Sequence, residues 1–389
     1  MKIGQFSPYD FAVPGGVNEH ISNLHREFRE RGFESKVIAP YSDTVSSLKY
    51  PNTLDTSFVP MGKPVAVPSG GSIARVNLSP WIYRQVAHLI RKESFDVIHI
   101  HEPFASLITL GALAADIPSF MTRVATFHTY KGSHFYRVMA KKILRRYASK
   151  LNGSIAVSES SKHFVEEFIP SDYRIIPNGI FIDQFREAEP FLELKDGKIN
   201  ILFLSRLEKR KGLQYLLSAY SDLKWDFPNI RLIIVGGGDM DAESQRIIGS
   251  RNPSDIVLAG EVSESDKARY YSTADIFCAP ATGQESFGIV LLEAMAAGAT
   301  IAASRIDGFS NVIEDHKNSM MFTPKNVESL RGVLGQLILN PKLRQSLAET
   351  ARKDVGRYKW DTVASEVINY YEQLGTVTHD DGKFNGITA

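Results

Sequence analysis

The sequence has one cysteine, almost no net charge and no long apolar run. Cys278 stands alone among 389 residues, which excludes an intramolecular disulfide framework and a cysteine-rich zinc site. Lysine and arginine number 45 against 44 acidic residues, so the overall charge does not favour nucleic acid. No stretch approaches the ~18–20 apolar residues of a membrane span. The first residues, MKIGQFSPY, also lack the apolar segment of a signal peptide, so we expect a soluble or surface-bound protein.

Short apolar runs alternate with amphipathic segments along the chain. Strands are predicted at residues 3–6, 35–39, 97–100, 124–127 and 155–157, and then at 201–205, 232–235, 256–258, 276–279 and 300–303. Helices are predicted at residues 17–31, 213–223, 265–273 and 289–297, and twice between 327 and 371. Such alternation is typical of parallel sheets with helices on both faces. We therefore predict an α/β fold of two doubly wound, Rossmann-like domains facing across a cleft.

The two series of strands also predict where the domains lie. The N-terminal domain is expected over residues 1–180 and the C-terminal domain over residues 190–358, with the polar stretch 178–198 as the linker. The polar segment 375–389 is expected to be a disordered tail. In doubly wound sheets ligands bind beyond the carboxyl ends of the strands, so the loops that follow strands are the places to search for a site.

Two loops of this kind could bind phosphate. The first, SPYDFAVPGGVNEH, places Gly15 and Gly16 before a predicted helix, where backbone N–H groups can bind an anion; a tight turn explains it equally well. The second, LSRLEKRKG, is favoured as a phosphate site over a solvated loop because cations can neutralise a diphosphate there. Its four cations are Arg206, Lys209, Arg210 and Lys211.

The segment QESFGIVLLEAMAAG keeps two acids around an apolar run. Glu285 is predicted in a loop, beside the N–H groups at the start of a helix beginning near Phe287. Glu293 is predicted inside that helix among apolar neighbours, although a solvent-facing position is the alternative. A buried carboxylate needs a partner, and two adjacent hydroxyls of a ribose could supply one.

Two further features suggest function. His128, in ATFHT, follows a predicted strand at the ligand edge, where a catalytic role and a simple structural role are equally plausible. The segment RVMAKKILRRYASK carries six cations and no acid, and it is predicted to dock on an anionic membrane; a helix with a solvated basic face is the alternative. The six cations are Arg137, Lys141, Lys142, Arg145, Arg146 and Lys150.

Together these motifs resemble glycosyltransferase family 4, whose members are retaining enzymes of the GT-B fold. The resemblance covers about residues 1–374 and combines the Glu285–Glu293 spacing with SRLEKRKG and the GG loop. Within that family the chain is most similar to the bacterial phosphatidylinositol mannosyltransferases, as PYDFAVPGGVNEH, GSIAR, FDVIHIHEP, ATFHT, IAVSE and IPNGI indicate. The resemblance also implies that a final helix, at about residues 360–374, packs back on the N-terminal domain.

The resemblance implies transfer of a hexose, with GDP-mannose expected as donor and no metal strictly required. The residues that match donor-binding positions are Gly15, Gly16, Arg206, Lys211, Val262, Lys267, Glu285, Ser286, Phe287, Gly288 and Glu293. Among them, Arg206 and Lys211 would bind the phosphates, Glu285 the sugar hydroxyls and Glu293 the ribose. Val262 and Lys267 would lie beside the nucleobase. The expected catalytic residues are His128, Arg206, Lys211 and Glu285.

The implied acceptor is an anionic membrane lipid, bound at the inner face of the cell membrane. Tyr9, Ser72 and Arg75 match positions that bind the phosphate or inositol of the lipid, and an arginine suits a phosphodiester. Ser69 and Gly70 replace a tyrosine and an asparagine that such enzymes usually carry, and an alanine at position 12 replaces an aspartate. The alternatives are a UDP-sugar donor, another lipid, an inositol phosphate or a polysaccharide as acceptor, a nucleotide-sugar epimerase, a phosphorylase of the same fold, and a non-enzymatic binding module.

Overall fold

The computed structural model describes residues 1–13, 15–42, 56–69, 72–129, 141–251 and 254–381. The chain divides into two compact units. The first unit consists of Met1–Gly179 together with Trp360–Ala389, and the second is Ile180–Lys359. The last segment of the chain therefore belongs to the first unit, and the second unit is inserted into it.

The first unit contains a seven-stranded sheet in the order β3-β2-β1-β6-β7-β8-β9, in which every neighbouring pair is parallel. Its strands are β1 (Lys2–Phe6), β2 (Glu34–Ala39), β3 (Phe58–Pro60), β6 (Val97–His101), β7 (Thr122–Phe127), β8 (Gly153–Ala156) and β9 (Tyr173–Ile175). A separate antiparallel hairpin is formed by β4 (Val65–Ser69) and β5 (Ser72–Val76). The central strands are buried along their whole length because helices cover both faces of the sheet.

The helices of this unit connect the strands in the order expected of a doubly wound fold. They are α1 (Gly16–Glu30), α2 (Ile82–Glu93), α3 (Leu107–Ala114), α4 (Lys141–Ala148), α5 (Glu159–Glu166) and α14 (Trp360–Asp381). Helix α14 packs on α1 and β7, where Tyr371 is fully buried.

The second unit repeats the design with a six-stranded parallel sheet in the order β12-β11-β10-β13-β14-β15. Its strands are β10 (Ile199–Leu204), β11 (Ile230–Val235), β12 (Ile256–Gly260), β13 (Ile276–Ala279), β14 (Thr300–Ser304) and β15 (Met320–Phe322). Its helices are α6 (Ile182–Arg186), α7 (Leu213–Asp226), α8 (Ala242–Arg251), α9 (Glu264–Thr273), α10 (Ile289–Ala297), α11 (Asp307–Ser310), α12 (Val327–Leu339) and α13 (Pro341–Asp354). The prediction of two Rossmann-like α/β domains is confirmed. Cys278 is buried in the core.

Three details differ from the sequence-based expectation. The stretch 178–198 is more than a polar linker, because Ile180, Ile182 and Phe185 are buried in the core of the second unit. Three helices, not two, lie between Val327 and Asp381. The last of them continues past residue 374 to Asp381, because neither proline nor glycine interrupts residues 376–381; residues 382–389 lie outside the described part of the chain.

Candidate functional site

The strand order of the second unit reverses at its centre, between β10 and β13. The two strands are neighbours in the sheet, but β11 lies on one side of them and β14 on the other. A crevice forms at such a switch point, beyond the carboxyl ends of the strands. Here it is a pocket lined by Phe203, Leu204, Ser205, Lys211, Phe277, Cys278, Ala279, Pro280, Ala281, Val290 and Phe309.

Two helices begin beside this pocket, and neither has a side chain that caps its N-terminus. Helix α7 starts after Gly212 and helix α10 after Gly288, and both glycines have a positive φ, of 76° and 94°. A Cβ atom at position 212 would come within 2.0 Å of the carbonyl oxygen of Pro280, so only glycine allows this close approach. The first N–H groups of a helix have no intrahelical acceptor and attract an anion, so the edge of the pocket favours phosphate.

Glu285 lies in the loop before α10, as predicted, and it pairs with two cations of the basic loop. Its Oε1 accepts hydrogen bonds from Arg210 Nη1 at 2.7 Å and from Lys211 Nζ at 2.6 Å. Burial lowers the pKa of Lys211, and the charge of Glu285 partly opposes that effect. Arg206, which the resemblance places in the site, instead leaves 64% of its side chain exposed and pairs with Glu208.

Arg210 was recognised as part of the basic loop but was not assigned to the site. Its Nε donates to Glu208 at 2.8 Å while its Nη1 binds Glu285, so it joins the two acids. Spacing alone could not distinguish Arg206 from Arg210, because a short 3-10 turn at Lys209–Lys211 decides which cation turns toward Glu285.

The segment Ser286–Phe287–Gly288 forms the turn that leads into α10. The helix begins at Ile289, the first residue of the predicted range 289–297 and two residues after Phe287. Phe287 is buried and contacts Tyr358 edge to face, which anchors the turn in the core of the unit. The one large side chain of the turn therefore faces the interior of the unit.

Glu293 is buried inside α10, as predicted, but it already has protein partners. Its Oε1 accepts from Lys267 Nζ at 2.8 Å, and its Oε2 accepts from the Tyr271 hydroxyl at 2.8 Å. Lys267 and Tyr271 therefore supply partners that the sequence did not reveal, and the assignment of Glu293 to a ribose stays a prediction. Lys267 also pairs with the more exposed Glu264. Val262 lies half-buried just before α9, the helix that carries Lys267.

Replacing Lys267 by methionine is expected to destabilise the protein by about 3 kcal/mol, because it leaves Glu293 buried without its charged partner. Urea denaturation measures the change in the free energy of unfolding. Glu264→Gln is the matched control, since it removes the exposed partner of the same lysine and should cost less than about 1 kcal/mol. Equal losses in the two variants would contradict the assignment of Glu293 as the main partner.

At the carboxyl edge of the first sheet, four buried histidines lie together. His128 directly follows β7, as predicted, and its Nε2 lies 3.2 Å from Nδ1 of His101 at the end of β6. His20, on α1, packs edge to face on His128, with ring centroids 4.8 Å apart. Burial lowers the pKa of His20 to about 4 and the pKa values of His101 and His128 well below their usual range. These imidazoles are therefore neutral near pH 7.

The last helix helps to hold this cluster. The Tyr371 hydroxyl lies 2.6 Å from Nδ1 of His99, and the Trp360 ring packs on His20. Glu102, directly after β6, accepts a hydrogen bond from the backbone N–H of His128 at 2.5 Å. Sequence reasoning assigned only one of the four histidines. The sequence HIHEP could have indicated the others on β6, because His99 and His101 are two positions apart and therefore lie on one face of the strand.

The comparisons with known proteins agree with this architecture. Residues 14–184 match the family described as "Glycosyltransferase Family 4", and residues 184–354 match "Glycosyl transferases group 1". A phosphatidyl-myo-inositol mannosyltransferase of Mycolicibacterium smegmatis is 37% identical over 378 residues, which cover 96% of this chain and 94% of that protein. The chain belongs to glycosyltransferase family 4.

This family 4 glycosyltransferase is also similar to proteins with other names. An alpha-monoglucosyldiacylglycerol synthase of Acholeplasma laidlawii is 27% identical, covering 96% of this chain and 97% of that protein. The crystal structure of a glycosyltransferase from Rickettsia africae superposes with a TM-score of 0.77 at 20% identity, covering 96% of this chain and 98% of that one. The predicted family, enzyme class and GT-B fold are thus confirmed.

Two of the predicted acceptor-binding residues of the glycosyltransferase come together in the first unit. Tyr9 forms an isolated β-bridge with Val76, and the N–H of Asp10 donates to the carbonyl of Arg75 at 2.8 Å. The β4–β5 hairpin therefore brings the exposed Arg75 to the loop after β1. Ser72 begins β5, in register with Ser69. In the same unit, Gly15 directly precedes α1 and Gly16 begins it.

The basic segment of the glycosyltransferase is helical from Lys141 to Ala148, and Arg137 lies outside the described residues. Lys142 and Arg146 are exposed, whereas Lys150 donates to the carbonyl of Ala114 and Arg145 to that of Phe168. Ile143 is 47% exposed beside the cations. Among the described residues, no helix is both long enough and apolar enough to span a bilayer.

Proposed function

We propose that this glycosyltransferase transfers mannose from GDP-mannose to a phosphatidylinositol-type lipid, with retention of the anomeric configuration. The observation that carries the proposal is the near full-length similarity to relatives named phosphatidyl-myo-inositol mannosyltransferase. The pocket at the switch point of the second unit, which Lys211 lines, supports it, because a nucleoside diphosphate is a leaving group whose charge grows as the bond to the sugar breaks.

The donor phosphates are assigned to the start of α7 and α10 and to Lys211. Positive groups already in place before the reaction stabilise the developing negative charge without reorganisation. Arg206 is exposed, and its pairing with Glu208 is a surface contact that a phosphate can replace. Since these groups supply the required positive charge, we propose that transfer needs no metal cofactor.

The sugar and the nucleoside are assigned to the loop and the first turns of α10. Glu285 and the backbone of Ser286, Phe287 and Gly288 bind hydroxyls of the transferred sugar. A carboxylate offers about four acceptor positions. Glu293 uses two of them within the protein, so it can also accept from the ribose hydroxyls.

The remaining donor-binding residues are assigned one by one. Val262 and Lys267 are placed beside the nucleobase, and His128 is placed near the transferred sugar. Gly15 and Gly16 are assigned to the donor phosphates at the N-terminus of α1, which no side chain caps among the described residues. A Cβ atom on Gly15 would meet no atom of the described residues within 4 Å, so their packing does not require glycine there, whereas a closely bound donor would.

Gly15→Ala is expected to lower transfer about tenfold, or about 1.4 kcal/mol of activation free energy, without lowering the melting temperature. The new methyl group occupies space that we assign to the donor. Gly332→Ala is the matched control, because a Cβ atom there also meets nothing within 4 Å among the described residues and the position lies far along the sequence from any assigned residue. Full activity in the Gly15→Ala variant would contradict the assignment of Gly15 to the donor site.

The lipid phosphate is assigned to Arg75, with Tyr9 and Ser72 beside it. Arginine can form two parallel hydrogen bonds to a phosphodiester, and the β-bridge at Tyr9 fixes the hairpin that carries Arg75. The surface that docks on the membrane is assigned to Arg137, Lys141, Lys142, Arg145, Arg146 and Lys150. The protein then acts as a peripheral enzyme at the inner face of the cell membrane.

The double substitution Lys142→Gln with Arg146→Gln is expected to weaken binding to anionic vesicles about thirtyfold, since each cation near such a surface contributes about 1 kcal/mol. Sedimentation with phosphatidylcholine vesicles, with and without phosphatidylinositol, measures the effect. Lys195→Gln with Lys342→Gln changes the net charge equally at other exposed positions and serves as control. Equal binding by both double variants would contradict docking through α4.

A transfer assay read by mass spectrometry tests the proposed function. The enzyme is given GDP-mannose or UDP-glucose with vesicles containing either phosphatidylinositol or diacylglycerol. A hexose added to phosphatidylinositol from GDP-mannose alone is the expected result. A product on diacylglycerol would instead favour the activity that the name of the Acholeplasma relative describes. Slow release of free nucleotide with no lipid product would contradict both phosphatidylinositol and diacylglycerol as acceptors.

A further inference from the structure

The buried histidines of the first unit have a geometry that goes beyond the proposed role of His128. One ring nitrogen from each of His20, His101 and His128 lies within 4.8 Å of the other two. The closest pair, His101 Nδ1 and His128 Nε2, is 3.2 Å apart. Two nitrogens bound to one tetrahedral zinc ion are separated by about 3.3 Å, given Zn–N distances of about 2.0–2.1 Å. The pair is therefore already near the spacing of metal ligands.

The surroundings of His20 resemble those of a bound metal ligand, because one of its ring nitrogens has a hydrogen-bond acceptor in the protein. His20 Nδ1 lies 2.9 Å from the side-chain oxygen of Asn178, which fixes Nδ1 as the donor and leaves Nε2 with a free electron pair. His101 Nε2 is buried and has no hydrogen-bond partner among the described residues. His99, by contrast, uses both ring nitrogens, toward Thr126 and Tyr371, and is not available as a ligand.

We propose that His20, His101 and His128 form a binding site for one divalent transition-metal ion of the zinc class. Three neutral imidazoles suit zinc, cobalt or nickel and suit magnesium or calcium poorly, because the latter prefer oxygen ligands. The buried carboxylate of Glu102, which bonds the backbone of His128, contributes negative charge nearby. The fourth position of the ion is left for water, as in zinc sites with three protein ligands.

A bound ion would withdraw His128 from the sugar, so the metal acts as an inhibitor of transfer. This consequence rests on the proposed function, whereas metal binding does not. We therefore expect Zn²⁺ to reduce transfer in proportion to occupancy of the site, and a chelator to restore it. Stoichiometric Zn²⁺ binding with undiminished transfer would overturn the inhibitory part of the proposal.

Cobalt substitution and equilibrium dialysis test the site without any assay of transfer. One equivalent of Co²⁺ should bind to the full chain and give the intense visible absorption of a four-coordinate ion, and one equivalent of Zn²⁺ should displace it. His101→Gln should weaken binding by about a hundredfold or more, since loss of even a supporting partner costs about 10–100-fold. His163→Gln, an exposed histidine outside the cluster, should bind as the unsubstituted protein does.

A second variant keeps the test decisive if His101→Gln does not fold. Asn178→Ala leaves all three rings in place and removes only the acceptor of His20, so it should weaken Co²⁺ binding about tenfold. Absence of one-to-one binding in the unsubstituted protein would overturn the proposal, as would binding that neither substitution changes. If the protein binds metal but transfers no mannose, the proposed metal site is supported and the proposed function is contradicted.

Discussion

Replacing Glu285 by glutamine is expected to lower the rate of transfer by about 10²–10³-fold while GDP binding stays within a few fold of its original strength. The carboxylate is assigned to the transferred sugar, and the neutral amide loses the charge that stabilises a sugar becoming positive. Phosphate binding survives because Arg210 and Lys211, released from Glu285, keep their charges.

Steady-state kinetics and calorimetric titration with GDP separate these two effects. Glu208→Gln is the matched control, since Glu208 pairs with Arg206 and Arg210 on the same loop but is assigned no sugar contact. Parallel losses of transfer and of GDP affinity in Glu285→Gln would mean that this acid only positions the basic loop.

Lys211→Met is expected to lose transfer by about a thousandfold and, unlike Glu285→Gln, to lose GDP affinity as well. Lys211 lines the switch-point pocket and directly precedes the glycine at which α7 begins. We therefore expect its charge to act on the same phosphates as the N-terminus of that helix. Methionine keeps the apolar stem of the side chain, so the change reports on the charge and not on packing.

Lys209→Met is the control for this effect, because Lys209 belongs to the same short turn but is exposed. It should keep transfer and GDP affinity nearly unchanged. Lys211→Arg should rescue little, since only 16% of this side chain is exposed and a planar guanidinium needs more room than an ammonium. Full activity in Lys211→Met would contradict a catalytic role for Lys211.

The sequence predicts α10 well because several local signals agree. Gly288 and Gly298 flank an apolar run that is helical from Ile289 to Ala297, which is the predicted range. The same agreement explains why Glu285 was correctly placed in a loop and Glu293 in the interior. Where glycine positions, hydrophobic periodicity and the neighbouring strand all predict the same element, the place of a residue in the fold can be predicted from its place in the sequence.

Partners across the fold could not be predicted in this way. The contact between Glu285 and Arg210 joins residues 75 apart, and the hydroxyl of Tyr371 meets a histidine 272 residues away. Secondary-structure propensity and hydrophobic periodicity are local properties, so they do not predict which residues make contact at such separations in the sequence. The extension of the last helix past residue 374 was missed for a different reason, since polar composition suggested disorder although no proline or glycine interrupts residues 376–381.

The return of the last helix to the first unit has a consequence for biosynthesis. Trp360 and Tyr371 contact His20 and His99, and a Cβ atom on Gly179 would overlap the ring of Trp360. A ribosome releases the chain from the N-terminus, so these partners emerge only after all of the second unit. During synthesis, the four histidines of the first unit therefore stay uncovered by the last helix while 180 further residues, Ile180–Lys359, are translated.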